Sequence, residues 1–350
     1  MARRALTDIL LVCLPLACAF VALFAGRYGI SPAEVGAALL CWMWSGVSMV
    51  ASLLGAYVAP LDLGVSPQAY SLVVEFRLPR ALAALAVGGA LAVSGAAYQG
   101  VFKNPLVNPG LLGVSNGAGF GAALAIVVAG GGFAIYPSAF AFGVLAVVCS
   151  YWIARVYKQT PAIMLILGGT IVSSVFSALV SLMKYLADPA NQLPSIVYWL
   201  MGSLSSIDWK SLWALLPIMV GVVVLQLFAW RIDALSMGDK EARSLGIDVR
   251  RDKAIIVAAS TLATAAAVCI SGVIGWVGLV IPHIGRMLVG SGSARLIPAS
   301  FCLGAAFLVV VDTVARCLTP DELPLGILTA LIGAPFFVYL LKKTKGKVWG

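Results

Sequence analysis

Charged residues are scarce in this 350-residue chain. Only 11% of the residues are Asp, Glu, Lys or Arg, whereas a soluble globular domain carries roughly 25%, and 61% of the residues are hydrophobic. A bilayer span requires about 20 predominantly apolar residues, and runs of that length recur along the chain. The composition therefore excludes an ordinary soluble domain and predicts an all-α polytopic membrane protein.

Side chains that commonly bind metals or take part in catalysis are also rare. His283 is the only histidine, and one histidine can build neither a metal site nor a catalytic triad, so we expect it to be a hydrogen-bonded structural residue. The seven cysteines are scattered, and no C-x-x-C pair suggests a metal site. A membrane-embedded enzyme would need a buried cluster of such groups. We therefore predict no enzymatic activity, no catalytic residue and no metal site in this chain.

Two further absences bear on energy coupling. The chain has no G-x-x-x-x-G-K-[ST] loop, because Gly346 and Lys347 are followed by Val348, so ATP hydrolysis would have to come from another chain. Carboxylates inside apolar runs are nearly absent, with Asp312 near a span end as the main exception. Ion-coupled carriers usually need acidic groups in mid-membrane, which disfavours an ion-coupled secondary transporter but leaves it as the alternative.

The apolar runs form one transmembrane domain, residues 1–350, with no low-complexity linker. We predict ten spans, at residues 9–26, 80–101, 111–130, 134–155, 162–186, 211–230, 254–271, 274–290, 296–315 and 324–341. The first run resembles a secretory signal, but no clear cleavage site follows it, so we interpret it as a retained span.

The distribution of positive charge orients these spans. With the N-terminus inside, only six of the 23 lysines and arginines fall outside: Arg27, Arg77, Arg80, Lys184, Lys210 and Arg316. The other 17 (23 − 6) lie in cytoplasmic segments, which places both termini in the cytoplasm. The lysines and arginines that give the net charge of +9 are thus explained by their role in orienting the chain, and we expect no nucleic-acid partner.

Residues 36–59 do not fit the ten-span scheme, because they are free of charge and long enough to cross. Counting them as an eleventh span barely changes the charge bias, so charge does not decide between the two topologies. We favour an external segment, residues 27–76, that contains an interfacial or re-entrant apolar stretch.

The largest cytoplasmic loop, residues 231–253, reads as two short helices, with Gly246 as a C-terminal cap. Leu235, Met237, Ala242 and Leu245 offer a small apolar surface between charges, which could dock into a groove on a partner. The alternative is a solvated loop that only orients the chain.

Three external arginines lie at span ends. Arg77 and Arg80 flank Leu78-Pro79 before the second span, and Arg316 closes the ninth. They either snorkel at helix ends or form positive docking points for an acidic external partner. Asp312 lies four residues before Arg316 and is expected to pair with it on one helix face.

The fifth span carries four hydroxyl residues within two turns: Thr170, Ser173, Ser174 and Ser177. Such hydroxyls either bond to helix backbone or line a polar path through the membrane. The second span (AALAVGGALAVSGAA) is rich in small residues and is expected to pack in the middle of the bundle.

Several long motifs occur in order: RLPRALAALAVGGALAVSGAAYQG, KNPLVNPGLLGVSNGAG, LSMGDKEARSLGIDV, GWVGLVIPHIGRMLVG and ELPLGILTALIGAPFFVYLLKK. Together they resemble the permease family of iron–siderophore, haem and cobalamin ABC importers, from about residue 72 to residue 343. The resemblance implies a homodimeric type II ABC importer permease with ten transmembrane helices per subunit.

The resemblance also implies partners and residue roles. The partners are a second copy of the chain, two cytoplasmic ATPase subunits that bind ATP and Mg, an external substrate-binding protein and the lipid of the inner (plasma) membrane; no cofactor is expected on this chain. By resemblance, the helix that couples to the ATPase contains Ser236, Met237, Gly238, Asp239, Glu241, Ala242, Arg243, Leu245 and Gly246. By resemblance, too, Arg77, Arg80 and Arg316 dock the binding protein, and Thr170, Ser173, Ser174 and Ser177 line the pathway. The substrate stays open among a siderophore, haem, cobalamin and an oxyanion such as molybdate.

Overall fold

The computed structural model describes residues 2–54, 57–155 and 162–343 of the chain. Its helices are α1 Ala2–Phe24, α2 Pro32–Leu53, α3 Pro67–Tyr70, a π-helical segment Ser71–Arg77, α4 Leu78–Val101, α5 Val114–Ala129, α6 Ile135–Ala154, α7 Ala162–Leu186, α8 Gln192–Met201, α9 Leu215–Leu227, α10 Ala229–Met237, α11 Asp239–Ser244, α12 Val249–Ser271, α13 Val277–Val289, α14 Ser293–Leu318 and α15 Leu325–Lys343. Short 3₁₀ turns connect some of them, and no strand occurs in these ranges. Lys158, Lys345 and the Gly346–Val348 segment lie outside the described residues.

Each predicted span overlaps an apolar helix. Eight described helices, α2 among them, are long and apolar enough to cross a membrane, and α5, α13 and α15 are shorter apolar helices. The all-α membrane fold predicted from composition is therefore confirmed. The number of membrane crossings stays a prediction, because α2 is also long and apolar enough to cross a membrane but is not one of the ten predicted spans.

Helix α4 forms the centre of the bundle, as its small residues predict. It is buried along almost its whole length and packs directly against α14. The two backbones touch at glycines: a Cβ added to Gly88 would lie 2.2 Å from the Gly304 carbonyl oxygen, and one added to Gly304 would lie 2.3 Å from the Gly88 oxygen. Only glycine permits this approach, which brings the two helices into van der Waals contact.

Contacts at both ends of α1 fix its direction. Near its N-terminus, Asp8 pairs with Arg295 at the start of α14, at 2.6 Å. Near its C-terminus, the Leu23 carbonyl accepts a hydrogen bond from Arg77, just before α4 begins. Helix α1 therefore runs parallel to α14 and antiparallel to α4, so its C-terminus and the start of α4 lie on the same side of the bundle.

Helix α2 is one uninterrupted helix whose start is fixed by a capping box. The Ser31 hydroxyl accepts from the Glu34 N–H at 3.2 Å, and the Glu34 carboxylate accepts from the Ser31 N–H at 3.0 Å. Its contacts lie at its first half: Val35 and Ala38 are buried against the end of α1 and the π-helical segment, and Trp42 stacks on Trp209 at 5.4 Å. The second half of α2 is largely exposed.

Two stretches of irregular backbone penetrate the bundle. Helices α5 and α13 have 16 and 13 residues, or roughly 24 and 20 Å, short of a hydrocarbon layer of about 30 Å. Residues 102–113 precede α5 and residues 272–276 precede α13. The first stretch meets the start of α13 beside α4, because a Cβ on Gly278 would lie 2.4 Å from Pro109 and 2.7 Å from the Leu91 carbonyl.

Candidate transport pathway and docking surfaces

Arg80 is the centre of a buried ion cluster at the end of the bundle where α4 begins. Its Nε donates to both carboxylate oxygens of Asp312 at 2.9 and 3.0 Å, and its Nη2 donates at 2.8 Å. Its remaining Nη1 reaches Glu322, in the loop after α14, at 3.0 Å. The Arg80 side chain is 11% exposed and that of Asp312 is 5% exposed, so the planar fork of the guanidinium joins α4 to α14.

The other two arginines of this group hold the C-terminal end of α1. Arg77 donates to the Leu23 carbonyl at 2.8 Å and to the Tyr28 carbonyl at 2.7 Å, and Arg316 donates to the Ala22 carbonyl. Both are nearly buried, at 6% and 9% exposure. The expected pairing of Asp312 with Arg316 is wrong, since the Asp312 carboxylate faces α4 and is occupied by Arg80.

In this conformation the three arginines therefore hold parts of the protein together. They neither snorkel towards the membrane surface nor project freely into solvent. An incoming carboxylate would compete with Asp312 and Glu322 for Arg80, and with backbone carbonyls for Arg77 and Arg316. Of the two carboxylates, Glu322 is the more accessible, with 29% of its side chain exposed against 5% for Asp312. Docking of a binding protein on these arginines stays a prediction, and it would require exchange of these hydrogen bonds.

The cytoplasmic segment forms the two short helices expected, α10 and α11. Gly246 adopts the left-handed φ of +79° after α11, where a side chain would be strained. The Gly246 N–H bonds to the Arg243 carbonyl at 3.0 Å and the Ile247 N–H to the Ala242 carbonyl at 3.1 Å. This pair of bonds is the Schellman motif, so Gly246 caps the helix as predicted.

The apolar side chains of this segment divide between inside and outside. Leu235 and Ala242 are fully buried, so they hold α10 and α11 on the bundle, whereas Met237 and Leu245 are 66% and 51% exposed. Lys253 of α12, itself 2% exposed, anchors Asp239 at 2.7 Å. Of the other residues expected in the coupling helix, Ser236, Glu241, Arg243 and Gly246 are exposed, and Gly238 is buried at the junction of the two helices.

The hydroxyl residues of α7 point in two directions. Thr170 and Ser173 line a cavity between α7 and the two irregular stretches, and Thr170 also lies, with Ser174 and Ser177, on the exposed face of the helix. The Thr170 hydroxyl bonds to the Ile166 carbonyl at 3.0 Å and the Ser174 hydroxyl to the Thr170 carbonyl at 2.9 Å. The backbone-bonded alternative thus holds for these two, while their oxygen atoms still offer acceptor sites.

That cavity has a volume of about 390 Å³. Its walls come from α4, α5, α7, α12 and both irregular stretches: Leu91, Asn108, Pro109, Gly110, Leu111, Ser115, Thr170, Ser173, Thr264, Val273, Ile274, Gly275, Trp276 and Gly278. On α4, Leu91 lies ten residues before the helix end, or about 15 Å. Backbone of this kind is tolerated at membrane depth only where protein covers it or where it lines a water-filled space.

Several of these residues were missed from the sequence. Thr264 sits in an Ala-rich run of α12 that reads as a packing surface, and Trp276 gives no sequence signal for its positive φ of +68°. His283 is half-buried on α13, and no side-chain hydrogen bond of it is found in the described ranges, so the expected hydrogen-bonded role is not observed. Its neighbour Arg286, one turn on, instead donates to the buried Gln99 of α4.

Comparison with known proteins places this geometry in a family. The FecCD transport family matches residues 13–343. The chain belongs to the FecCD transport family. It is 41% identical over 330 residues to the molybdate import system permease protein MolB of Haemophilus influenzae, covering 93% of this chain and 92% of that protein. It is 43% identical over 293 residues to the cobalamin import system permease protein BtuC of Halobacterium salinarum, covering 82% and 78%.

A solved structure agrees with this assignment. The fold matches a metal-chelate type ABC transporter in an inward-facing conformation with a TM-score of 0.81 and 38% identity, covering 96% of this chain and 98% of that one. The FecCD chain is thus a multi-pass ABC importer permease, and the family resemblance seen in the sequence motifs is confirmed.

Proposed function

We propose that this FecCD permease forms the membrane pathway of an ATP-driven importer for an oxygen-rich, metal-containing solute. The observation that supports the proposal is the cavity beside α4, where two irregular backbone stretches meet Thr170 and Ser173 of α7. Hydrolysis of ATP with Mg is assigned to a separate ATPase subunit, so the chain itself is not an enzyme.

In the proposed topology the protein lies in the inner (plasma) membrane, and both termini lie in the cytoplasm. The C-terminus of α1 and the start of α4 lie on the same side of the bundle, which is the external side in the proposed topology. A complete crossing by α2 between them would place these ends on opposite sides. We therefore infer that α2 is external. The stretch Pro67–Val101 supports this, because its 35 residues span roughly 52 Å and outreach the hydrocarbon layer, and α2 packs on the protruding end.

The proposed assembly is a homodimer. Thr170, Ser174 and Ser177 form part of an exposed face of α7 in the single chain. A row of hydroxyls is poorly matched to lipid, whereas a second copy across a two-fold axis would enclose it as a polar path. Native mass measurement of the solubilised permease should show two copies.

The proposed ATPase contact is the surface of α10 and α11. Exposed Met237 and Leu245 are flanked by the charges of Glu241 and Arg243, a combination suited to a groove on a partner. Because the Lys253–Asp239 pair joins α11 to α12 and α10 packs on α4 and α14, a push on this surface would be transmitted into the bundle. On the other side, the proposed binding-protein contact lies over Arg77, Arg80 and Arg316.

The names of relatives, which include molybdate and cobalamin import, support a metal chelate or a metal oxyanion as the substrate class. The test is uptake into proteoliposomes that contain the permease, its ATPase and its binding protein. Molybdate, ferrichrome, haemin and cyanocobalamin are offered in turn with ATP at the ATPase. One of them should accumulate only when the ATP is hydrolysed. Accumulation that follows an ion gradient without the ATPase would instead support the secondary-transporter alternative.

A further inference from the structure

A groove with a volume of about 590 Å³ lies between α6 and α12 on the outer surface of the bundle. Its walls are predominantly apolar, and Val148 of α6 and Ala258 of α12 are exposed along it. On α12 the groove runs from Ala254 to Leu262. These eight residues rise about 12 Å, which is close to the depth of one hydrocarbon leaflet, about 15 Å. The α6–α12 groove is therefore open to the surrounding membrane over about the depth of one leaflet.

One end of the α6–α12 groove carries a positive charge. Arg155, the residue that follows α6, is part of the lining and is exposed. Tyr151 and Trp152 line the groove one turn earlier, and Trp152 is 76% exposed. Tyr and Trp are enriched where the membrane meets water. Arg155 thus lies at the level of the lipid headgroups, which is the cytoplasmic level in the proposed topology.

Arg251 adds a second positive charge from α12. It is exposed in the first turn of the helix, three residues before Ala254 and seven before Ala258. Residues three and seven apart share one face of an α-helix. Arg251 therefore continues the stripe of α12 that lines the groove, at the same end as Arg155.

Both arginines are available to an anion from outside the chain. Three acidic side chains near the start of α12 are engaged elsewhere: Asp252 pairs with Arg231 and Asp239 with Lys253, each at 2.7 Å, and Asp248 caps the helix. No ion pair within the described part of the chain involves either groove arginine. The end of the groove thus combines apolar walls with two uncompensated guanidinium groups.

We propose that the α6–α12 groove binds an anionic phospholipid of the cytoplasmic leaflet, with an acyl chain along the apolar walls and the phosphate at Arg155 and Arg251. A guanidinium can hold two phosphate oxygens through parallel hydrogen bonds, and basic pockets between membrane helices are suited to anionic headgroups. A free phosphate would use only the charged end, whereas a lipid uses the charge and the walls together. The assignment to the cytoplasmic leaflet rests on the proposed topology, but the binding itself does not depend on the importer function.

The test is native mass spectrometry of the purified permease in detergent, titrated separately with phosphatidylglycerol and phosphatidylcholine that carry the same acyl chains. The wild type should bind phosphatidylglycerol more tightly, and Arg155→Gln should reduce that preference by about fivefold, the effect of one arginine near an anionic headgroup. Arg251→Gln should act in the same direction. Arg27→Gln removes an exposed arginine outside the groove and should leave the preference unchanged.

A second variant tests the apolar walls. Ala258→Trp fills the groove from an exposed position and keeps both arginines, so it should abolish the retained phosphatidylglycerol. Val310→Trp adds the same side chain at an exposed position of α14 and should keep the lipid. Glycerol 3-phosphate carries the headgroup phosphate without acyl chains and should not displace the bound lipid.

The lipid site would be overturned by equal affinity of the wild type for the two lipids, by an unchanged preference in Arg155→Gln, or by a lipid that Ala258→Trp retains. Displacement by glycerol 3-phosphate would show a phosphate site that needs no acyl chain. If Ala258→Trp instead converted two copies of the permease into one, the groove would be a contact between subunits and the proposal would fail. ATP-dependent uptake is measured separately, so the lipid site and the importer function can fail independently.

Discussion

The ion cluster around Arg80 separates an internal role of this residue from a docking role. Arg80→Gln removes the guanidinium and leaves the Asp312 carboxylate, 5% exposed, without a counter-charge. Breaking a buried ion pair by removing one partner typically costs about 3–5 kcal/mol. We therefore expect Arg80→Gln to lower the free energy of unfolding in mixed micelles by about that amount. Asp312→Asn should act in the same direction, because it leaves Arg80 with only the more exposed Glu322.

A double-mutant cycle tests this reasoning. The combined variant Arg80→Gln/Asp312→Asn removes both charges, so its loss should be smaller than the sum of the single losses, with a coupling energy of about 1–3 kcal/mol. Arg80 and Glu322 should couple by less than about 1 kcal/mol, since Glu322 is 29% exposed. The internal role of Arg80 would be refuted if the Arg80 and Asp312 substitutions showed no coupling, left the stability of the permease unchanged and reduced only its affinity for the binding protein.

Three further sets of substitutions test the coupling surface, the α4–α14 contact and the position of α2. Charge reversal at Glu241 and Arg243 should uncouple ATP hydrolysis from uptake while the permease inserts normally, and the same reversal at exposed Arg250 of α12 should not; unchanged uptake and ATPase binding would reject the coupling surface. Gly304→Ala should destabilise the bundle by about 1–3 kcal/mol, because its Cβ would meet the Gly88 carbonyl, whereas a stable variant would contradict the close α4–α14 contact. A cysteine at position 52 of α2, in a background without native cysteines, should react with an impermeant maleimide only from outside, and reaction from the cytoplasm would show that α2 crosses.

The membrane class and the apolar helices could be predicted because both follow from local composition. A run of about 20 apolar residues has few stable alternatives in a bilayer, and the small residues of α4 can be buried only where another helix comes close. Gly246 was also predictable, since a helix cap depends on neighbouring residues alone.

Features that depend on distant contacts were not predictable. Asp312 is four residues from Arg316 but pairs with Arg80, which is 232 residues away in the chain; helix spacing cannot reveal a partner on another helix. Arg155 likewise resembles any arginine at the end of a span. Its position at the end of an apolar groove depends on α12, which forms the opposite wall.

We propose that this FecCD permease moves its solute by means of ATP hydrolysis on a partner subunit. The most direct measurement is uptake by proteoliposomes containing the permease, the binding protein and either the active ATPase or a variant that binds ATP without hydrolysing it. We expect one probe from the molybdate, ferrichrome, haemin and cyanocobalamin panel to accumulate with the active ATPase, and none with the inactive one. Equal accumulation with both, driven by a proton or sodium gradient, would contradict it.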